Sequence, residues 1–302
     1  GERERPEEID WSEAHIVMDK LDGSMIHPCL VGGEMVFMTR MGVTDQAKAA
    51  LGNADDAVRS LCMESLKDGI TPIFEYTSPD NRIVVPYEKT ALTLLALRDI
   101  KSGAYVAHDA LVAEATSYGV PVVDTFGEVS DGKSFVETSR ALENIEGYVI
   151  AFDSGHRLKL KADHYVLRHK ALSGVAYEKN LLAWIAENAL DDVLPILPDE
   201  VAVRVRDYEA QIKTMSNRHL RDIEALLSTM KGAERKEIAM EVRSRVDPRL
   251  QRIAFAILDG RDGHSVMLDI IRKASQSEPK VDEFRDLWDM EWFGRDLVIK
   301  DD

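Results

Sequence analysis

The sequence predicts an α+β domain built on antiparallel sheets, followed by an all-helical C-terminal domain. Three observations carry that expectation. Short apolar, β-rich runs separated by turn signals fill the chain up to about Leu172. Beyond that point apolar residues recur at the three-and-four spacing of helices. With 302 residues the chain can also form two cores, so the expected domains are 1–172 and 173–302.

Taken in order, Ile16–Met18 reads as a strand that runs into a turn at Lys20. Gly32-Gly33 divides Met25–Leu30 from Glu34–Thr39 in a hairpin pattern. Asp45–Lys67 has helical spacing, with Ala47, Leu51, Ala54, Val58 and Leu61 on one stripe. Strands are expected at Ile73–Tyr76, Arg82–Val85, Leu92–Leu97, Gly147–Phe152 and Arg157–Lys161. Helices follow at Glu178–Ala189, Asp199–Met230, Ala233–Val246, Pro248–Leu258 and Ser265–Ala274, with Pro195 and Pro198 as punctuation. Tyr208, Ile212, Met215, Ile223, Leu226, Leu227 and Met230 fit one buried face and read as core.

Composition excludes several classes. A hydrophobic content of 45% with 30% charged residues suits a globular chain rather than a disordered one. No apolar run approaches the ~20 residues that span a bilayer, so no membrane partner is expected. Gly1–Asp10 is mostly charged and does not read as a signal peptide. Cys29 and Cys62 are too few for a disulfide framework or a zinc site, which makes a reducing cytoplasm the expected compartment. The net charge of −16 argues against a general nucleic-acid coat. Within that acidic background, His156–Lys170 carries Arg157, Lys159, Lys161, Arg168 and Lys170 against Asp163 alone. Such a strip suggests a focused anion site, and it also fits a solvated strand edge.

The chemistry centres on Lys20-Leu21-Asp22-Gly23-Ser24. A lysine amine can attack the α-phosphate of a nucleotide and hold it as a phosphoramidate. Gly23 lets the backbone turn sharply beside it. Alone the motif is weak, because Asp-Gly is an ordinary turn and Lys an ordinary solvated neighbour. Further segments follow in order: Phe74-Glu75, Glu146-Gly147-Tyr148-Val149 and Lys159-Leu160-Lys161. The ordered set resembles the covalent nucleotidyltransferase superfamily of ligases and capping enzymes. The strings Phe74–Val84, Glu143–Val149, Lys161–Val166 and Arg235–Glu241 look like one branch of it, the ATP-dependent RNA ligases of T-even-type phages that repair cut tRNA. The resemblance spans most of the chain.

That resemblance implies a nucleotidyltransferase (ATP-grasp-like ligase) domain. It implies ATP as substrate with covalent AMP on Lys20, and Mg²⁺ or Mn²⁺ as cofactor. RNA ends, in particular tRNA anticodon-loop breaks, are the implied partners, for a monomer acting in the cytoplasm (the host's, were the chain phage-encoded). The residues have physical reasons to serve. Lys20 must be neutral to attack, which neighbouring cations such as Lys159 and Lys161 would favour. Alternation along Arg157–Lys161 puts the three cations on one strand face and the leucines on the other, where two ammoniums could bind an α-phosphate. Glu146 and Asp22 are oxygen donors suited to Mg²⁺, with the Glu146 role implied by the family. Glu75 sits in an apolar run and needs a partner, either a ribose hydroxyl or Arg82. Arg40 falls where the family places a basic nucleotide contact. Tyr165 matches a functional tyrosine of the family, and spacing alone fits a core aromatic as well. Asp191, with Asp192, resembles an acidic pair that could hold a divalent cation, and a solvated helix end fits it too. His156, His164 and His169 match no zinc spacing.

Two other readings stay open. A DNA ligase or capping enzyme would share the motifs but would add a β-rich OB-fold, against the helical texture after Leu172. A catalytically impaired RNA-end or nucleotide-binding module would need none of the chemistry. Only 19 residues precede Lys20, where the resembled ligases carry a longer segment with basic contacts to the ATP phosphates. Whether the chain is truncated, processed, or a relative that dispenses with the segment, self-adenylylation is the step expected to suffer before the later ones.

Overall fold

The computed structural model describes residues 9–81, 83–289 and 291–294. The chain divides into two compact units at His169/Lys170. In chain order the first contains β1 (His15–Lys20), β2 (Ser24–Val31), β3 (Glu34–Met38), α1 (Asp45–Asn53), α2 (Asp56–Lys67), β4 (Ile70–Thr77), β5 (Ala91–Asp99), α3 (His108–Tyr118), α4 (Gly132–Arg140), β6 (Gly147–Phe152) and β7 (Arg157–Lys161). The division falls within α5 (Asp163–Val175).

The strands form two antiparallel sheets, in the orders β1-β6-β7 and β3-β2-β4-β5. The β2–β3 hairpin turns on Gly32 and Gly33, at φ +61° and +89°, the left-handed pair that a tight two-residue hairpin demands. The larger sheet packs Ile26, Phe37, Phe74 and Leu94 against α1 and α2 in a dry core. Val17, Ile150 and Leu158 form a smaller core on the other sheet, backed by Trp11 and Phe135.

One stretch ties the two sheets together. At one end Leu94 donates its amide to the Pro121 carbonyl at 2.8 Å and accepts from Val123 at 3.0 Å. At the other, Val17 exchanges hydrogen bonds with Gly127 and Phe126, and Asp19 donates to Asp124 at 3.0 Å. The smaller sheet is therefore registered against the larger by main chain, which any sequence can supply.

Three expectations need correction. The helix expected over Asp45–Lys67 is two helices, because Ala54 is extended and Asp55 caps α2 by accepting from the Val58 amide at 2.9 Å. A capping aspartate satisfies an amide that a continuous helix would have used, and the shared apolar stripe survives the break. Residues 83–85 form no strand: the Val84 and Val85 amides turn to a side chain described below, while Arg82 lies outside the described residues. Helices α3 and α4 were not anticipated, since each buries only a few small or single apolar side chains, such as Leu111, Ala115 and Val136.

The second unit is helical: α6 (Glu178–Glu187), α7 (Leu190–Val193), α8 (Asp199–Thr229), α9 (Arg235–Arg245), α10 (Gln251–Leu258), α11 (Gly263–Ala274) and α12 (Glu278–Phe284). On α8 the buried face runs through Val205, Tyr208, Ile212, Leu220 and Ile223, with Met215, Leu226, Leu227 and Met230 half-buried. Glu178, 2% exposed, accepts from the Tyr208 hydroxyl at 2.7 Å and pairs with Arg285. The fold is thus α+β with antiparallel sheets, followed by helices. Among the described residues no helix is long and apolar enough to cross a membrane.

Candidate active site

The site begins at the last residue of β1. Register places Lys20 opposite Gly147 on β6, and Gly147 opposite Lys161 on β7. Directly paired residues project to the same side of a sheet, so the two lysines flank a position that has no side chain. Gly147 sits at φ +143°, and a Cβ there would lie 2.0 Å from the Leu160 carbonyl oxygen. No other residue fits.

Glu146 precedes that glycine and turns its carboxylate between the two ammoniums. Its Oε1 lies 2.5 Å from Lys20 Nζ and 3.5 Å from Lys161 Nζ. The Glu146 side chain is 5% exposed, against 15% for Lys20 and 29% for Lys161. A carboxylate so buried needs charge partners, and the two lysines supply them. The sequence offered Lys159 and Lys161 as cations that would favour a neutral Lys20 and Glu146 as a nearby metal ligand; the structure puts the Glu146 carboxylate in direct contact with the amine.

The turn after Lys20 is held from three sides by Asp22, which is 1% exposed. Its Oδ2 accepts from the amides of Val84 and Val85 at 2.7 and 2.6 Å, and its Oδ1 from the Tyr165 hydroxyl at 2.7 Å. Its own amide donates to the Tyr87 hydroxyl at 2.9 Å. The next amide, of Gly23, donates to Glu75 Oε1 at 3.1 Å. Gly23 is obligatory here, because a Cβ would stand 2.3 Å from the Tyr76 carbonyl oxygen. Burial, then the charges of Glu146 and Asp22, push the Tyr165 hydroxyl far above the ordinary tyrosine range, so it stays a neutral donor. Burial likewise pushes the Tyr87 hydroxyl up to about 12.

A lysine placed by a strand end, an adjoining carboxylate and a second lysine form a compact array for covalent nucleotide chemistry. The profile of the T4-type RNA ligase family matches residues 2–170, over half of the chain. The chain belongs to that RNA ligase family.

Relatives of this RNA ligase family member are distant. RNA ligase 1 of bacteriophage TS2126 is 27% identical over 283 residues, 86% of this chain and 67% of the phage protein. A Thermovibrio ammonificans protein named as a candidate RNA ligase is 27% identical over 236 residues, 74% of this chain. The match covers 60% of that relative's length. Among solved structures, an archaeal ATP-dependent RNA ligase superposes with a TM-score of 0.47 at 17% identity, covering 68% of this chain and 61% of its own.

Within the family member's first unit, the fold brings Lys20, Asp22, Gly23, Glu75, Glu146, Lys161 and Tyr165 together. Lys159 projects from the same face of β7 as Lys161, two residues away and exposed. Arg40 is exposed in the turn that closes Thr39 onto Gly42. Asp191 and Asp192 are exposed on α7 of the second unit. No group of three His, Cys, Asp or Glu side chains poised for a metal occurs among the described residues. Asp22, offered by the sequence as a metal ligand, has its oxygens taken by three protein donors. Glu146 is then the carboxylate that fits a hard divalent ion, which is commonly held by one or two carboxylates, waters and substrate phosphates.

Sequence reasoning missed Tyr87 and the Val84–Val85 amides. Their signal was indirect: a buried Asp22 carboxylate must find donors, two of which are the Val84 and Val85 amides, and its own amide must find an acceptor, which the Tyr87 hydroxyl supplies.

Proposed function

We propose that the protein is an ATP-dependent RNA ligase that joins 5′-phosphate and 3′-hydroxyl ends through lysyl-AMP and RNA-adenylate intermediates. The observation that carries this reading is the contact of Lys20 Nζ with Glu146 Oε1 at 2.5 Å, with Lys161 beside it. Residues 1–172 are read as the adenylyltransferase domain and 173–302 as a helical domain that serves substrate choice.

Lys20 Nζ, as free amine, bonds to the α-phosphorus of ATP. The bond from that phosphorus to the α,β-bridging oxygen breaks, pyrophosphate leaves, and Nζ sheds a proton. Glu146 Oε1, already in hydrogen-bond contact, is placed to orient the amine and receive that proton. Lys161 and Lys159 offer ammoniums to the negative charge on the phosphate oxygens. An RNA 5′-phosphate oxygen then displaces Lys20 Nζ from phosphorus, the nitrogen regaining a proton as it leaves, and the 3′-hydroxyl of the second end attacks the 5′-phosphorus, giving up its proton as AMP leaves. Mg²⁺ or Mn²⁺, when bound by Glu146 and the phosphates, would neutralise phosphate charge. Asp22 and Tyr165 act by holding the turn after Lys20, and Glu75 by holding Gly23 and facing the nucleotide. Arg40 is assigned to the nucleotide and Asp191 to a divalent cation in the helical domain, both on the family resemblance alone.

The finer proposal is a monomer that repairs tRNA anticodon-loop breaks in the cytoplasm. Incubation with α-³²P-labelled ATP and Mg²⁺, followed by a denaturing gel, tests the reading. A labelled band is expected from the wild type and none from Lys20→Ala. A labelled Lys20→Ala band would remove the nucleophile assignment, and preferential labelling by GTP would favour a capping enzyme.

A further inference from the structure

We propose that Arg157, which the reaction above does not use, is a phosphate contact for the RNA strand and completes a cation track along β7. The inference rests on the RNA-ligase reading and adds the path of the substrate. Arg157, Lys159 and Lys161 alternate with Leu158 and Leu160, and the leucines face the small apolar core. The three cations therefore share the opposite face, at steps of about 6.8 Å along the strand. That step is close to the spacing of successive phosphates on an extended single strand. The track starts at Lys161, beside the reactive lysine, and runs away from it.

Arg157 is an expensive residue to keep there. It is half-buried, and its Nε is shielded from solvent without a hydrogen-bond partner. Among the described residues no carboxylate pairs with it. Its guanidinium instead lies over the Tyr105 ring, 3.9 Å from the centroid, and Arg98 approaches the same ring at 5.6 Å. A half-buried cation stacked on an aromatic, with a second cation adjacent and no anion, is a preorganised anion site. In a chain of net charge −16, a half-buried Arg157 with no carboxylate partner among the described residues, on the strand face that also carries the exposed Lys159, points to a ligand that brings the negative charge.

The test is a salt titration of binding to a short 5′-phosphorylated single-stranded RNA, read by fluorescence anisotropy. Arg157→Gln is expected to weaken binding several-fold at low salt and to lower the slope of log affinity against log salt by about 0.7, one single-strand phosphate contact. Arg157→Lys should restore the slope, because charge rather than fork geometry sets it. Lys159→Gln, at an exposed position with no packing to disturb, should cost the same increment and covers the case in which Arg157→Gln misfolds. A wild-type slope in Arg157→Gln, or in Lys159→Gln, overturns the track. A wild type that forms the Lys20 adduct yet shows no salt-dependent RNA binding also overturns it. Absence of the adduct itself would instead overturn the ligase reading.

Discussion

Each unit of this protein buries a glutamate behind a tyrosine and beside a basic side chain, and the two clusters differ in what they leave exchangeable. In the first, Glu146 faces Lys20 and Lys161, both partly open to solvent. In the second, Glu178 is closed in by Tyr208 and Arg285. Lysine ammoniums are compact point charges that can leave a carboxylate for a phosphate at modest cost, whereas a guanidinium holds its partner in a fixed geometry. Glu146 has two partners of one kind, so a substrate can take one without stranding a buried charge. Glu178 has no such reserve. Similar parts thus make a candidate site in one unit and a fastener in the other, separated by accessibility and cation type.

Glutamine at each position should separate the two most sharply. Glu146→Gln is expected to lower the rate of lysyl-AMP formation on the order of 10²-fold, with little change in melting temperature. Glu178→Gln takes the buried partner from Arg285, which keeps its exposed bond to Asp282, and urea unfolding should show a loss of about 1–3 kcal/mol while adduct formation per folded molecule is unchanged. Equal stability losses at both positions would erase the distinction.

The tyrosines sharpen it. Tyr165→Phe removes the donor to Asp22 Oδ1 and Tyr208→Phe the donor to Glu178 Oε1. Each should cost about 1–3 kcal/mol, since each leaves a buried acceptor short of a partner. Only Tyr165→Phe should also slow adduct formation, because it loosens the turn that carries Lys20. A rate measurement on both variants decides.

The smallest effect expected is a pH dependence in the helical unit. Hydrogen bonds and ion pairs from Arg249 hold Asp247 and Asp286 below the usual carboxylate range. Because the folded values are depressed, their contribution is fully present above the ordinary aspartate value and is lost as pH falls through the folded ones. Thermal melts should therefore show the helical transition weakening below about pH 4, less so in Arg249→Met. Burial raises Glu178 instead, so its ionisation opposes folding and runs with the opposite sign.

Much was legible in the chain itself. The hairpin at Gly32-Gly33, the strands Gly147–Phe152 and Arg157–Lys161, and the long helices follow from local periodicity and turn chemistry, which act between near neighbours. The order of Lys20, Glu75, Glu146 and Lys161 named the chemical types present, as a one-dimensional string can. What it could not carry was who touches whom. The contact of Lys20 with Glu146, across a separation that only strand pairing closes, is a property of sheet register. So is the use of Asp22, which composition casts as a metal ligand and the fold employs to tie Val84, Val85 and Tyr165 to the turn. Side-chain identity sets what an atom can do. Burial and the donors that tertiary packing brings within 3 Å decide what it does do, because a buried carboxylate must satisfy itself with whatever the fold delivers.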